Sequence, residues 1–178
     1  MKWFIKCLKQ YADFNGRARR SEYWWFTLIN FIITVVLLIG WMVPLFKMAI
    51  HSEDLPDEWE LLRVMFSNPF IYIYFIYYLA MLIPSLAVTV RRLHDIGKSG
   101  FWVFLSIGSS LLFSIARGIN GMNLTSTPNI SIAISIVIEL IAIAIAILFL
   151  VCMFIDSQPG ENKWGPNPKE PTQIETTE

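Results

Sequence analysis

The chain has 178 residues, of which 55% are hydrophobic, and a mean hydropathy of +0.53. Soluble domains are about 45–50% apolar even with glycine counted, and here the excess lies in long uncharged blocks that leave too little chain for a separate soluble domain. Fourteen basic and fourteen acidic residues cancel in the sum, but the two signs are segregated along the chain, so the zero net charge says nothing about either surface.

No charge occurs from Tyr23 to Phe46, from Val64 to Val90 or from Ser99 to Ala116, and Glu139 is the only charge between Gly118 and Ile155. A bilayer core about 30 Å thick needs about 20 helical residues. The pattern therefore predicts an all-α integral membrane protein, a four-helix bundle with an N-terminal interfacial amphipathic helix. Residues 1–168 form one membrane domain, with spans at about 23–46, 69–90, 101–116 and 130–155. The first run is too long for a signal-peptide core and is expected to remain as a span.

Taken in order, residues 1–14 read as the amphipathic helix. Phe4, Leu8 and Tyr11 recur at helical spacing, with Trp3 and Cys7 beside them and Lys2, Lys6, Lys9 and Asp13 opposite. Such a helix lies in the headgroup layer with its apolar side down. Asn15-Gly16 marks a turn, Ser21 is placed to cap the next helix, and Glu22 suits its positive end. Trp24 and Trp25 are interface anchors of span one. The loop 47–68 is acidic, has no EF-hand spacing, and contains a candidate short helix over 57–66. Asn68-Pro69 opens span two, where Tyr72 and Tyr74 fit an aromatic belt while Tyr77 and Tyr78 lie deeper and need partners. Pro84 frees a backbone carbonyl, and Ser85 or Thr89 is placed to take up the slack.

The charged stretch Arg91-Arg92-Leu93-His94-Asp95-Ile96-Gly97-Lys98-Ser99-Gly100 reads as a turn between spans two and three. In span three, Ser106, Ser110 and Ser114 form a small-residue packing stripe. The loop 117–129 carries two matches to the glycosylation pattern, at Asn123 and Asn129, which short polar loops produce by chance. Span four has a second small-residue seam at Ala142 and Ala146. Its isoleucine–alanine alternation fits a strand, but length and the exclusion of open strands from lipid make it a helix. The tail 169–178 is expected to be disordered.

Positive charge sets orientation. Lys2, Lys6, Lys9, Arg17, Arg19, Arg20, Arg91, Arg92, Lys98, Lys163 and Lys169 fall in three segments that four spans place on one side, against Lys47, Arg63 and Arg117 on the other. Both termini and the central stretch are therefore expected in the cytoplasm. Cys7 and Cys152 then face a reducing compartment, and no disulfide is expected.

Three motifs stand together: Phe14-Asn15-Gly16-Arg17-Ala18-Arg19-Arg20-Ser21-Glu22-Tyr23-Trp24, the stretch from Arg91 to Trp102, and Gly160-Glu161-Asn162-Lys163-Trp164-Gly165-Pro166-Asn167-Pro168. With them the chain resembles the bacterial inner-membrane proteins grouped as the domain of unknown function 805 family. Trp164 stands where an aromatic such as tyrosine is usual in that family. The resemblance implies a four-helix inner-membrane protein and no catalytic activity.

Two candidate sites follow. The first is a cytoplasmic-face cluster of Arg17, Arg20, Glu22, Arg91, Arg92, His94, Asp95 and Lys98. Its arginines either pair with Glu22, Asp95 and Asp156 to fasten loops to helix ends, or are left free for phosphate. The second is intramembrane, Glu139 with Tyr77 and Tyr78. A lone carboxyl in a span is a functional candidate, against a packing carboxyl that hydrogen-bonds a neighbour or reaches Arg117. No catalytic, cofactor or metal set is expected. His94 and His51 lie in segments assigned to opposite sides, zinc needs three or four ligands, and the phosphate-loop order is missing before Lys98. The expected function is a non-enzymatic multi-pass inner-membrane module. Its basic face engages anionic lipid headgroups, an envelope protein or a second copy, and not nucleic acid. The alternative is an oligomeric transporter or channel subunit working through Glu139.

Overall fold

The computed structural model describes residues 2–51, 57–122 and 128–169. Among them every extended element is helical: α1 (Lys2–Lys9), α2 (Arg20–His51), α3 (Glu58–Ser67), α4 (Pro69–Asp95), α5 (Trp102–Met122) and α6 (Pro128–Phe154). One isolated bridge pairs Asn162 with Gly165. The tail 170–178 and Asn123 lie outside the described residues. Three helices are long and apolar enough to cross a membrane, Arg20–His51, Pro69–Asp95 and Ile132–Phe154, and α5 has a shorter apolar stretch, Trp102–Gly118.

Burial runs opposite to that of a water-soluble fold. Phe31, Val36, Ile76, Leu111, Leu140 and Leu148 are exposed, while the largest fully buried side chains include Arg91, Arg92, Glu22 and Asp95. Exposed apolar surface on this scale is untenable in water and natural for helices bathed in lipid. Charged side chains stay buried only when paired.

The chain forms two compact units, residues 1–13 with 21–87, and residues 14–20 with those from 88 onward. In the first, α1 packs on the start of α2, where Phe4 stacks on Phe26 at 5.4 Å between centroids. Lys6 Nζ donates to Glu22 Oε2 at 2.6 Å, and the Cys7 thiol lies 3.8 Å from Glu22 Oε1. Cys7 is fully buried. Ser21 is not a cap, because α2 begins one residue before it.

Both helix-interior prolines of this unit have their freed carbonyl satisfied from a distant segment. Proline has no amide hydrogen for the carbonyl four residues earlier. For Pro84 that carbonyl belongs to Ala80, and the Tyr11 hydroxyl donates to it at 2.5 Å. Tyr11 is thus a donor to this carbonyl beyond the two residues, Ser85 and Thr89, that the sequence pointed to. For Pro44 the carbonyl belongs to Gly40, and Asn68 Nδ2 donates to it at 3.1 Å and to that of Trp41 at 3.2 Å. Asn68 also caps α4, its Oδ1 accepting from the Phe70 amide at 3.0 Å with Pro69 at the favoured first position. The approach is close, since a Cβ on Gly40 would meet the Phe70 ring at 2.5 Å. The short helix expected at 57–66 is α3, with Asp57 as its N-cap.

In the second unit α5 packs on α6. Ser109 and Ala116 are buried, and Ser110 and Ser114, although exposed, line one open hollow with Ala142 and Ala146 of α6. Four-residue steps drift around a helix of 3.6 residues per turn, while a seven-residue step nearly returns to the same face. The Ser106, Ser110 and Ser114 hydroxyls donate to carbonyls of their own helix.

Candidate functional site

The second unit draws together the loop before α2, the end of α4 and the segment after α6. Arg91 to Asp95, expected within a turn, forms the last helical turn of α4. The reversal follows it, with Gly97 at φ +77°. The Gly97 amide donates to the His94 carbonyl at 3.1 Å and the Lys98 amide to that of Leu93 at 2.9 Å. This is a Schellman closure, and glycine tolerates the left-handed position.

Asp95 is the centre. Its fully buried carboxylate accepts from Arg17 Nε at 3.1 Å, Arg92 Nη1 at 2.5 Å and Ser157 Oγ at 2.6 Å. Its backbone carbonyl accepts the Gln158 amide at 2.8 Å. Arg17 spreads its remaining donors over the Gly160 carbonyl at 2.7 Å and the Gln158 carbonyl at 2.5 Å. One guanidinium thereby ties the loop to both other segments, a use suited to arginine's planar fork. The Ala18 amide adds a bond to the Arg91 carbonyl at 3.0 Å.

The last carbonyls of α6 have no partner within their helix. Arg92 donates to that of Met153 and to the Ile155 carbonyl just beyond the helix, and Arg20 to that of Phe154 at 3.2 Å. Cations at this negative helix end are favourable. Arg20 also reaches Asp156 at 3.3 Å, and Lys169 bonds the same carboxylate. Asp156, outside the apolar helices, is held below the usual carboxylate range, first by that Lys169 bond and then by the Ser157 amide. Arg19 donates to the Pro168 carbonyl. His94 lies against the Gly16 carbonyl, Nδ1 to oxygen 3.3 Å, and its ring stacks on Trp164 at 4.4 Å and 11°. The Asn162 side chain donates to the His94 carbonyl at 3.0 Å.

Of the residues singled out in the sequence, Arg17, Arg20, Arg91, Arg92, His94 and Asp95 therefore share this corner. Glu22 belongs to the first unit, where Lys6 and Cys7 meet it. Lys98 is exposed, its ammonium 4.8 Å from the centroid of the Trp102 ring. Glu139 lies 3.5 Å from Arg117 Nε. In the first unit, the Tyr77 hydroxyl donates to Asn30 Oδ1 at 2.6 Å, and Tyr78 stacks on Tyr74. Sequence reasoning missed Ser157, Gln158, Asn162 and Asn30 as partners. It also missed the glycine after a basic last turn, which marked the end of α4.

Residues 11–166 match the family model described as protein of unknown function (DUF805). The chain belongs to that family. Among its relatives are the inner membrane proteins YhaI of Escherichia coli strain K12, 36% identical over 69% of this chain and 91% of the relative, and YhaH of the same strain, 34% identical over 59% and 72%. The uncharacterized protein YiiR of that strain is 28% identical over 86% of this chain and 84% of its own. No solved structure matches the chain. All three motifs of the corner lie within the matched residues except the last two positions of the third. The family assignment agrees with a multi-pass inner-membrane protein.

Proposed function

We propose that this is a non-enzymatic membrane module with four crossings, both termini in the cytoplasm, whose basic inner face binds anionic lipid headgroups. The observation that carries the reading is the meeting of three basic segments at one corner. Residues 14–20, 91–98 and 155–169 hold eight basic and three acidic residues, and Arg17 alone bonds to the other two segments. Helices α2 and α4 lie between the first two segments, and α5 and α6 between the second and third. An even number of crossings in each interval accounts for their meeting. The fourth crossing falls to α5, whose 21 residues measure about 31 Å at 1.5 Å per residue.

Within this reading the cluster has two layers. Arg17 and Arg92 close helix ends and hold Asp95, while Lys2, Lys9, Lys98 and Lys163 are exposed. In the proposed topology α1 lies in the headgroup layer and the exposed lysines meet the leaflet, each contributing about 1 kcal/mol where the lipid is anionic. Glu139 beside Arg117 fits a packing carboxyl. The test is the preference of the purified protein, in mixed micelles, for phosphatidylglycerol over phosphatidylethanolamine. Replacing Lys2, Lys9, Lys98 and Lys163 together by glutamine is expected to erase the preference and leave the fold intact. An unchanged preference would remove the reading.

A further inference from the structure

The cations of the inner face differ in what they touch. Arg17 and Arg92 meet Asp95, Arg20 and Lys169 meet Asp156, and Lys6 meets Glu22. Among the described residues Lys98 forms no ion pair, and its ammonium lies over the Trp102 ring. Lys163 similarly lies over Trp164, at 4.2 Å, but the Trp164 ring is itself stacked on His94. Beside Lys98 the surface is different. Phe101, Trp102, Phe104 and Leu105 line an open apolar hollow of about 360 Å³, and Phe101 is 76% and Phe104 62% exposed.

An uncompensated ammonium at the lip of an apolar hollow complements one kind of molecule, an amphiphile with a negative head and a hydrocarbon tail. We propose that this corner seats a single anionic phospholipid, its phosphate at Lys98 and one acyl chain along Phe101, Phe104 and Leu105. Trp102 serves both ends. Its ring face holds the ammonium in place by cation–π attraction, and its amphipathic ring suits the boundary between head and tail. The reversal at Gly97 places Lys98 three residues beyond the end of α4, its amide bonded back to the Leu93 carbonyl. A zwitterionic lipid offers the same tail but brings its own ammonium, so charge separates the two.

This inference rests on the lipid-binding reading and narrows it to one place. The experiment is native mass spectrometry of the full chain released from detergent with added phosphatidylglycerol or phosphatidylethanolamine. Wild type is expected to retain one phosphatidylglycerol more strongly than phosphatidylethanolamine. Lys98→Gln should weaken phosphatidylglycerol retention about fivefold, the equivalent of about 1 kcal/mol for one charge at the leaflet, with Lys98→Arg restoring it. Phe104→Ala should weaken retention of both lipids. An unchanged affinity in Lys98→Gln overturns the site. If Lys2→Gln with Lys9→Gln then lowers the preference, the general attraction stands without it, and if neither does, both readings fall. Displacement of the lipid by glycerol phosphate at equal concentration would also overturn it, because the hollow would then contribute nothing. Lys98 is exposed, so the variants are expected to melt with the wild type.

Discussion

Removing the Asp95 carboxylate should be the most damaging single change in the second unit. It accepts two arginine donors and one hydroxyl in a fully buried setting. Hydrogen bonds to a charged group contribute about 1.5–3 kcal/mol each, and such neighbours do not add. Breaking a buried pair from one side costs about 3–5 kcal/mol, because the partner charge is left uncompensated. Here two guanidiniums would be stranded, so Asp95→Ala is expected to lose at least about 4 kcal/mol, a large part of the about 5–15 kcal/mol typical of a folded protein. Asp95→Asn keeps the volume but not the charge, and should come within about 1 kcal/mol of Asp95→Ala. Unfolding by dodecyl sulfate in mixed micelles measures both, and limited proteolysis of the segment after α6 shows whether it has come loose. Asp156→Ala, on a carboxylate more than half exposed, serves as the control and should move the midpoint far less. If Asp95→Ala and the control lose the same, or Asp95→Asn behaves as wild type, the corner is not held by this charge.

Asn68→Ala should cost about 1–3 kcal/mol by orphaning the Gly40 carbonyl, and less in a Pro44→Ala background, where position 44 regains an amide to satisfy it; equal costs in the two unfolding series would refute the carbonyl account. Glu139→Gln is expected to leave ion flux across reconstituted vesicles unchanged, since Glu139 already has Arg117 beside it; a changed flux would favour transport. The Asp156 carboxyl titrates below its usual range when folded. Its stabilising effect is therefore complete above the unfolded value of about 3.9 and is lost as pH falls through the lower folded value. Asp156→Asn should flatten that acid limb of a melting-against-pH series, and an identical limb in the variant would refute the assignment.

The helices were legible because lipid imposes length and composition on any segment that crosses it. Asn68-Pro69 marked the start of α4, but α2 continues to His51 beyond the expected Phe46, α5 to Met122 beyond Ala116, and α1 stops at Lys9, short of residue 14. The basic segments were legible as a set because charge alone sorts them. Their partners were not. Whether Arg92 ends on phosphate or on Asp95 depends on where α6 stops, and no local pattern places Ile155 and Ser157 beside residue 92. The same holds for Tyr11 and Ala80, 69 residues apart, although Pro84 announced that some donor was needed. The Lys98–Trp102 pair lay close in sequence, but its meaning appeared only once Arg17, Arg20, Arg92 and Lys169 were seen to be paired with carboxylates.

The account turns on the three basic segments sharing the cytoplasmic side. Single cysteines placed at Lys9, Lys98, Lys163 and Lys47, in a chain with Cys7 and Cys152 changed to serine, can be reacted in intact cells with a maleimide that does not cross the inner membrane. The expected result is labelling at position 47 alone until the membrane is permeabilised, after which positions 9, 98 and 163 react as well. Labelling at 98 in intact cells, or a split between 9 and 163, would contradict it.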